Sequence, residues 1–240
     1  MLPVVFGPGR AGVRSKLSQG VEGVEHPGKL ITFEGPDGAG KTTQIQMTAR
    51  VLEESGYSVV KTREPGGTRL SEAIRQLLLD PCYNEMSAVT EALLYAAARA
   101  QIVGEVLLPA LRERKVVLCD RFVDSSLAYQ GYGRGLPLEM LRAVNDFALN
   151  KLGRFCTILL DLPPEEGLER SAGEMERDRL EQENLSFHRR VRDGYLSMAR
   201  EFPGRIKVVD ASADPRLVQE QIQEYVMAYL TGRDQGGAFE

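Results

Sequence analysis

The chain has 240 residues, 42% hydrophobic and 27% charged, with a formal net charge of −4. That length suffices for one α/β domain with a full core, and the mildly acidic balance argues against nucleic acid as a main partner, since a phosphate-tracking surface is basic. No apolar run is expected to approach the ~20 residues of a membrane span, and the three scattered cysteines (Cys82, Cys119, Cys156) lack metal-ligand spacing, so thiols of a reducing cytosol are the expectation.

Residues 1–28 are glycine-rich, without sustained periodicity, and read as a disordered N-terminal extension. Residues 30–34 (Leu-Ile-Thr-Phe-Glu) read as a buried strand. Next comes Gly35-Pro36-Asp37-Gly38-Ala39-Gly40-Lys41-Thr42, the G-x-x-x-x-G-K-[ST] pattern of a phosphate-binding loop, and then Thr43 and a helix over 41–56. Strand, loop and helix are the context this motif needs. Its glycines let backbone N–H groups approach phosphate oxygens, and the helix N-terminus adds partial positive charge. Gly35 through Thr43 are therefore candidate nucleotide contacts. Lys41 is placed to reach the outer phosphates, and the Thr42 hydroxyl to ligate Mg²⁺.

A second strand over 57–62 runs into Arg63-Glu64-Pro65-Gly66-Gly67-Thr68. This polar turn sits at a strand's carboxyl end, the edge where open α/β sheets bind ligands. Arg63 and Glu64 are accordingly candidate site residues. A helix follows over 69–79, then a long one over 91–114 with a kink expected at Pro109. Tyr95 and Arg99 share a face of it, a ring and a guanidinium suited to a planar base, although spacing alone favours a plain amphipathic core helix with a surface arginine. The strand at 116–119 ends in Asp120-Arg121. Asp120 could hold the water shell of Mg²⁺, and Arg121 could clamp an acceptor phosphate. Ser125, Ser126, Tyr129 and Gln130 follow on a short helix near the same edge.

A helix over 137–152, a strand over 155–162 and a helix from about 165 come next. Residues 171–181 are highly charged and read as a connector or lid, with Arg170, Arg177 and Arg179 as cations for phosphate. A helix over 182–201, a strand over 206–210 and a helix over 215–230 complete one domain, with a loose tail from 232.

Taken together these segments resemble the bacterial thymidylate kinases. The resemblance rests on Phe33-Glu34-Gly35…Lys41-Thr42-Thr43, Thr62-Arg63-Glu64-Pro65-Gly66-Gly67-Thr68, Leu93-Leu94-Tyr95…Arg99, Asp120-Arg121-Phe122…Ser125…Ala128-Tyr129-Gln130-Gly131 and Asp178-Arg179-Leu180-Glu181-Gln182-Glu183. It implies a P-loop NTPase fold, a five-stranded parallel sheet flanked by helices over residues 29–231, with a small lid at about 171–181. It further implies ATP-dependent phosphorylation of dTMP to dTDP for dTTP synthesis, with Mg²⁺, in a cytoplasmic homodimer. By the same resemblance Lys41, Glu64, Arg121 and Arg177 carry the chemistry. Asp37, Arg63, Tyr95, Arg99, Arg121, Ser126, Tyr129 and Gln130 hold dTMP, and Thr42 and Asp120 the metal. Tyr95 stands where the family has a ring-stacking phenylalanine. Gly38 stands where one branch has an arginine, and the lid has Ala172 and Glu174 where the other branch concentrates arginines, leaving Arg177 displaced.

An acceptor phosphate is already anionic near neutral pH, so positioning and charge neutralisation suffice and no histidine base is needed. The competing readings are another nucleotide or deoxynucleoside kinase of this fold, or a P-loop ATPase switch. A nucleoside acceptor would need a base such as Glu64, and a switch would lack an acceptor pocket.

Overall fold

Strands β1 (Lys29–Glu34), β2 (Val59–Arg63), β3 (Val116–Asp120), β4 (Phe155–Asp161) and β5 (Ile206–Asp210) pair in parallel in the order β2-β3-β1-β4-β5. The computed structural model describes residues 26–171 and 178–233. The stretch through residue 25, residues 172–177 of the lid expected at about 171–181 (with Ala172, Glu174 and Arg177) and the tail from 234 lie outside the described residues. The central strands β1, β3 and β4 are almost wholly buried, as strands covered on both faces must be. The edge strands β2 and β5 turn side chains to solvent.

One face carries α1 (Lys41–Glu54) and α9 (Pro215–Leu230), whose Ile45, Leu52, Ile222 and Val226 pack on Ile31, Phe33, Leu118 and Ile158. The other carries α2 (Arg69–Leu79), α3 (Ala88–Ile102), α4 (Leu108–Arg112), α5 (Val123–Ser126) and α6 (Leu138–Leu149); here Leu107, Leu111 and Leu149 pack on Leu30, Val117 and Cys119. Helices α7 (Pro164–Ser171) and α8 (Leu185–Glu201) stand before and after the expected lid in the chain, and α8 packs through Phe187, Val191 and Met198 on Leu127 and Leu159.

Three departures from the sequence expectation have local causes. The long helix starts at Ala88, because the Ser87 side chain accepts from the Thr90 N–H, and it widens into a π-helical turn at Val103–Leu107. Pro109 then falls in the first turn of α4, where its missing N–H costs little, so the irregularity precedes Pro109. Contrary to the expectation that no apolar run approaches a membrane span, the 25-residue stretch Ala88–Arg112 contains an 18-residue window of mean hydropathy 1.2, enough by length and composition alone to cross a membrane. Its apolar residues Ile102, Val103, Leu107 and Leu111 are buried in the core described above. Helix α8 begins at Leu185, three residues late, since Asn184 accepts from the Phe187 N–H as its cap.

The connection leaving β1 runs past β3 to β2, whereas that leaving β3 runs past β1 to β4. The crevice therefore opens between the carboxyl ends of β1 and β3. The P-loop and Asp120-Arg121 stand there.

Candidate active site

Residue Gly40, at φ 81°, turns the loop into α1 and offers no side-chain cap. The first-turn N–H groups of α1 are thus left for an anion. Gly38, at φ 74°, meets Gly167 of α7: a Cβ on residue 38 would lie 2.4 Å from the Gly167 carbonyl oxygen. An arginine there is incompatible with this packing, which gives the glycine a physical reason. Lys41 is buried and donates to the carbonyls of Gly35 (3.1 Å) and Pro36 (2.8 Å). Burial first, and the Arg121 charge second, lower its pKa to about 8, against the pull of Asp37 and Asp120. The Thr42 hydroxyl donates to Asp120 Oδ2 at 3.0 Å.

Arg121 has a left-handed backbone, φ 63°, a conformation costly to any residue with a Cβ. Its N–H donates to the Phe33 carbonyl at 2.9 Å, and its Nη1 to the Gly35 carbonyl at 3.0 Å. Its guanidinium pairs with Asp37 and lies 5.2 Å from the centre of the Tyr129 ring. The Tyr129 hydroxyl donates to the other Asp37 oxygen at 3.0 Å. Burial would raise the Asp37 pKa, but Arg121, then Lys41, outweigh it and hold the carboxyl at about 2. Two motifs far apart in sequence, the P-loop and Asp120–Tyr129, thus interlock at one point.

Two cavities meet there. The larger is lined by Gly38, Gly40, Lys41, Thr42, Thr43, Arg63, Asp120 and Arg170. The more apolar one is lined by Tyr95, Arg99, Phe122, Ser126, Tyr129, Gln130 and Leu180. Asp37, Glu64, Arg75, Arg121 and Glu181 line both. Burial, then the nearby Glu91, raise the Tyr95 phenol, which stays neutral. The chain over Leu127–Gly133 forms a π-helical turn, and this widening lets the consecutive residues Tyr129 and Gln130 both reach the cavity. Ser126 Oγ, Gln130 Oε1 and Glu64 Oε1 are buried without hydrogen-bond partners, and each belongs to a residue lining this cavity. Buried polar groups that face a cavity are satisfied by what fills it, a ligand or water.

Some expected residues sit differently. Arg99 is buried to 1% exposure; it donates from Nε to Glu64 Oε2 (2.8 Å), from Nη2 to the Phe122 carbonyl (3.1 Å), and to Asn145 Oδ1 (2.5 Å). It stands behind the cavity wall as much as in it. Burial raises the Glu64 pKa to about 7 against the Arg99 charge. Removing one partner of so buried a pair strands the other, and Arg99→Ala is expected to cost about 3–5 kcal/mol of stability in a urea melt. Arg63 lies on the phosphate side only, its Nη2 donating to both Glu72 oxygens at 3.1 and 3.0 Å. Arg179 departs from its expected part as a phosphate cation: it is buried, lies 2.6 Å from Glu91 and donates to the Leu78 carbonyl.

The sequence reading overlooked Arg75 of α2, which donates to the Pro65 carbonyl (3.1 Å) and lines both cavities. It also overlooked Glu34 as a hub. This fully buried carboxylate accepts from the Phe122 N–H (2.8 Å), Ser125 Oγ (2.5 Å) and Tyr195 hydroxyl (3.0 Å), and burial, then Asp124, raise its pKa to about 7. A charged residue ending an apolar strand was a usable signal for Glu34. Tyr195 gave none, since on an amphipathic helix it reads as core.

The hydroxyl of Thr42 and the carboxylate of Asp120 are hard oxygen donors, the set that suits Mg²⁺ shared with phosphates and water. Among the described residues no three His, Cys, Asp or Glu gather as a metal cage.

A family model described as "Thymidylate kinase" matches residues 33–222. A thymidylate kinase of Symbiobacterium thermophilum is 52% identical over 207 residues, 86% of this chain and 96% of the relative. One of Bacillus licheniformis is 50% identical over 201 residues, 83% and 95% respectively. The crystal structure of a thymidylate kinase from Ehrlichia chaffeensis superposes with a TM-score of 0.68 at 33% identity, over 83% of this chain and 98% of that one.

Proposed function

The chain belongs to the thymidylate kinase family and phosphorylates dTMP to dTDP with ATP; we propose that the two joined cavities hold the two nucleotides. The observation that carries this assignment is their common wall, where Arg75 and Arg121 stand between the P-loop and the apolar cavity. A donor triphosphate on the loop and an acceptor phosphate from the other side would meet across these cations.

Residues 35–43 would cradle the donor phosphates through the backbone N–H groups that all but Pro36 carry, with Lys41 on the outer ones. Tyr95 would stack on thymine, with Ser126, Gln130 and Arg99 at the base edge and Tyr129 against the sugar. Asp37, held by Arg121 and Tyr129, would orient the acceptor, and Glu64 and Arg75 would border its phosphate. Arg63 would support the turn that carries Glu64. The acceptor phosphate needs no general base, so the chain supplies alignment and charge. Thr42 and Asp120 would hold Mg²⁺, which when bound neutralises charge on the donor phosphates.

We assign the lid cation to Arg177. Arg177→Ala should lower kcat at least ~10²-fold and change KM for dTMP far less, as for a donor acting only on the transition state; near-wild-type turnover would sink the assignment.

The homodimer reading is supported by exposed apolar residues on helices that pack side by side: Leu70 and Leu77 on α2, Val89 and Leu93 on α3, and Phe147, 84% exposed, on α6. Cys82, Cys119 and Cys156 are thiols outside any disulfide among the described residues, which supports a reducing, cytoplasmic setting. ATP consumption measured with dTMP, dUMP, UMP, dGMP and thymidine side by side tests the whole reading. Strong turnover with thymidine alone, or hydrolysis without an acceptor, would overturn it.

A further inference from the structure

We propose that Glu91 is a positioning residue for base selection: its carboxylate fixes the Gln130 side-chain amide with the carbonyl oxygen as the end offered to the base. The proposal rests on the reading of this cavity as the dTMP site and assigns a part to a residue that does not line it.

Glu91 lies in the first turn of α3 and is fully buried. Gln130 is 1% exposed and donates from Nε2 to Glu91 Oε1 at 2.9 Å. A carboxylate only accepts hydrogen bonds, so the amide cannot present its oxygen to Glu91. Two arginines hold the Glu91 charge in place. Arg134 donates to Oε1 (3.3 Å) and Oε2 (3.2 Å), and Arg179 lies 2.6 Å from Oε2. With its nitrogen turned to Glu91, the Gln130 side chain has one other polar atom, Oε1, which is buried and unpartnered.

That atom is an acceptor. It matches a base with an N–H on the facing edge, as thymine and uracil have at N3, and it meets a lone pair at N3 of cytosine. Unpaired buried polar groups make such a mismatch expensive. Glu91 therefore excludes cytosine nucleotides without touching them, a repulsive element set one residue back from the base.

The test is Glu91→Gln. Arg134 and Arg179 would claim the one remaining carbonyl oxygen, leaving an NH₂ group toward Gln130. Gln130 must then turn its own oxygen to residue 91 and its NH₂ to the base. The probe pair is dTMP and 5-methyl-dCMP, which differ only at C4 and N3. The ratio of their kcat/KM values should fall at least ~tenfold in Glu91→Gln. In a Gln130→Ala background the same change should leave the ratio where it was, whereas a merely structural role would depress both substrates alike in both backgrounds. An unchanged ratio in folded Glu91→Gln overturns the proposal. Wild-type enzyme inactive on dTMP would instead overturn the site reading. Should Glu91→Gln not fold, a neutron structure of the wild-type dTMP complex decides: the Gln130 carbonyl against the base supports the proposal, and its NH₂ there refutes it.

Discussion

Replacing Lys41 with Met is expected to lower kcat about 10³-fold while leaving the thermal midpoint at or above that of the wild type. The two halves follow from the same burial. Lys41 is 8% exposed and, among the described residues, donates only to the carbonyls of Gly35 and Pro36. Its ammonium costs desolvation in the free enzyme, and the Arg121 charge adds to that cost; together they bring its pKa down to about 8. A methionine of similar length keeps the packing and removes the desolvated charge, so stability does not suffer. The transferring phosphoryl group, however, loses a cation aimed at its oxygens, and such donors contribute roughly 10²–10³ each. The sign with pH follows. Lys41 is charged below about 8 and neutral above it, so in the free enzyme kcat/KM for ATP should fall as pH rises through about 8. Bound triphosphate favours the ammonium, so kcat itself should hold to higher pH. A kcat for Lys41→Met within tenfold of wild type, or a flat profile of kcat/KM from pH 7 to 9, would overturn the assignment.

The parts of this molecule that were legible in its sequence are those whose cause is local. Apolar runs of Val, Ile and Leu announced the buried strands, and the glycines of residues 35–40 announced the loop, because both follow from the chemistry of a few neighbours. The helix over Arg69–Leu79 was legible to the residue, since Thr68 caps it through the Ser71 N–H. Pairings across the fold were not. Glu64 and Arg99 are 35 residues apart, and nothing near either one signals that they form a pair with both side chains under 4% exposed. Spacing correctly put Tyr95 and Arg99 on one face, but only the surrounding helices decide that the guanidinium is enclosed by Glu64, Asn145 and the Phe122 carbonyl. Glu91 escaped notice for a different reason. An acidic residue in the first turn of a helix is favoured by the helix dipole, so its presence had a sufficient local explanation. Arg179 misled because charge in a polar segment suggests exposure, whereas here Glu91 and the Leu78 carbonyl draw it inward.

Arg121→Ala is expected to lower kcat/KM for dTMP by about 10³–10⁴-fold, roughly 4–5.5 kcal/mol at the transition state. The size comes from two losses at one position. The guanidinium is a fixed cation on the wall shared by both cavities, held by the Gly35 carbonyl, and it would face the acceptor phosphate. It is also the main reason the Asp37 carboxyl stays near a pKa of 2, so its removal leaves a part-buried carboxylate beside an incoming phosphate. Attraction is lost and repulsion exposed together, and a lysine cannot replace both. Lys has no fork to span Asp37 and the Gly35 carbonyl, so Arg121→Lys should recover about tenfold or less. Adding Asp37→Asn to Arg121→Ala should recover part of the loss by removing the stranded charge, a non-additivity expected of residues in direct contact. The discriminating measurement is thymidine binding by calorimetry. Thymidine fills the base cavity but carries no phosphate, so its affinity should be nearly the same in Arg121→Ala and wild type while that of dTMP collapses. Parallel losses for thymidine and dTMP would mean that Arg121 shapes the cavity around Tyr129, over whose ring it lies, and does not clamp the acceptor phosphate.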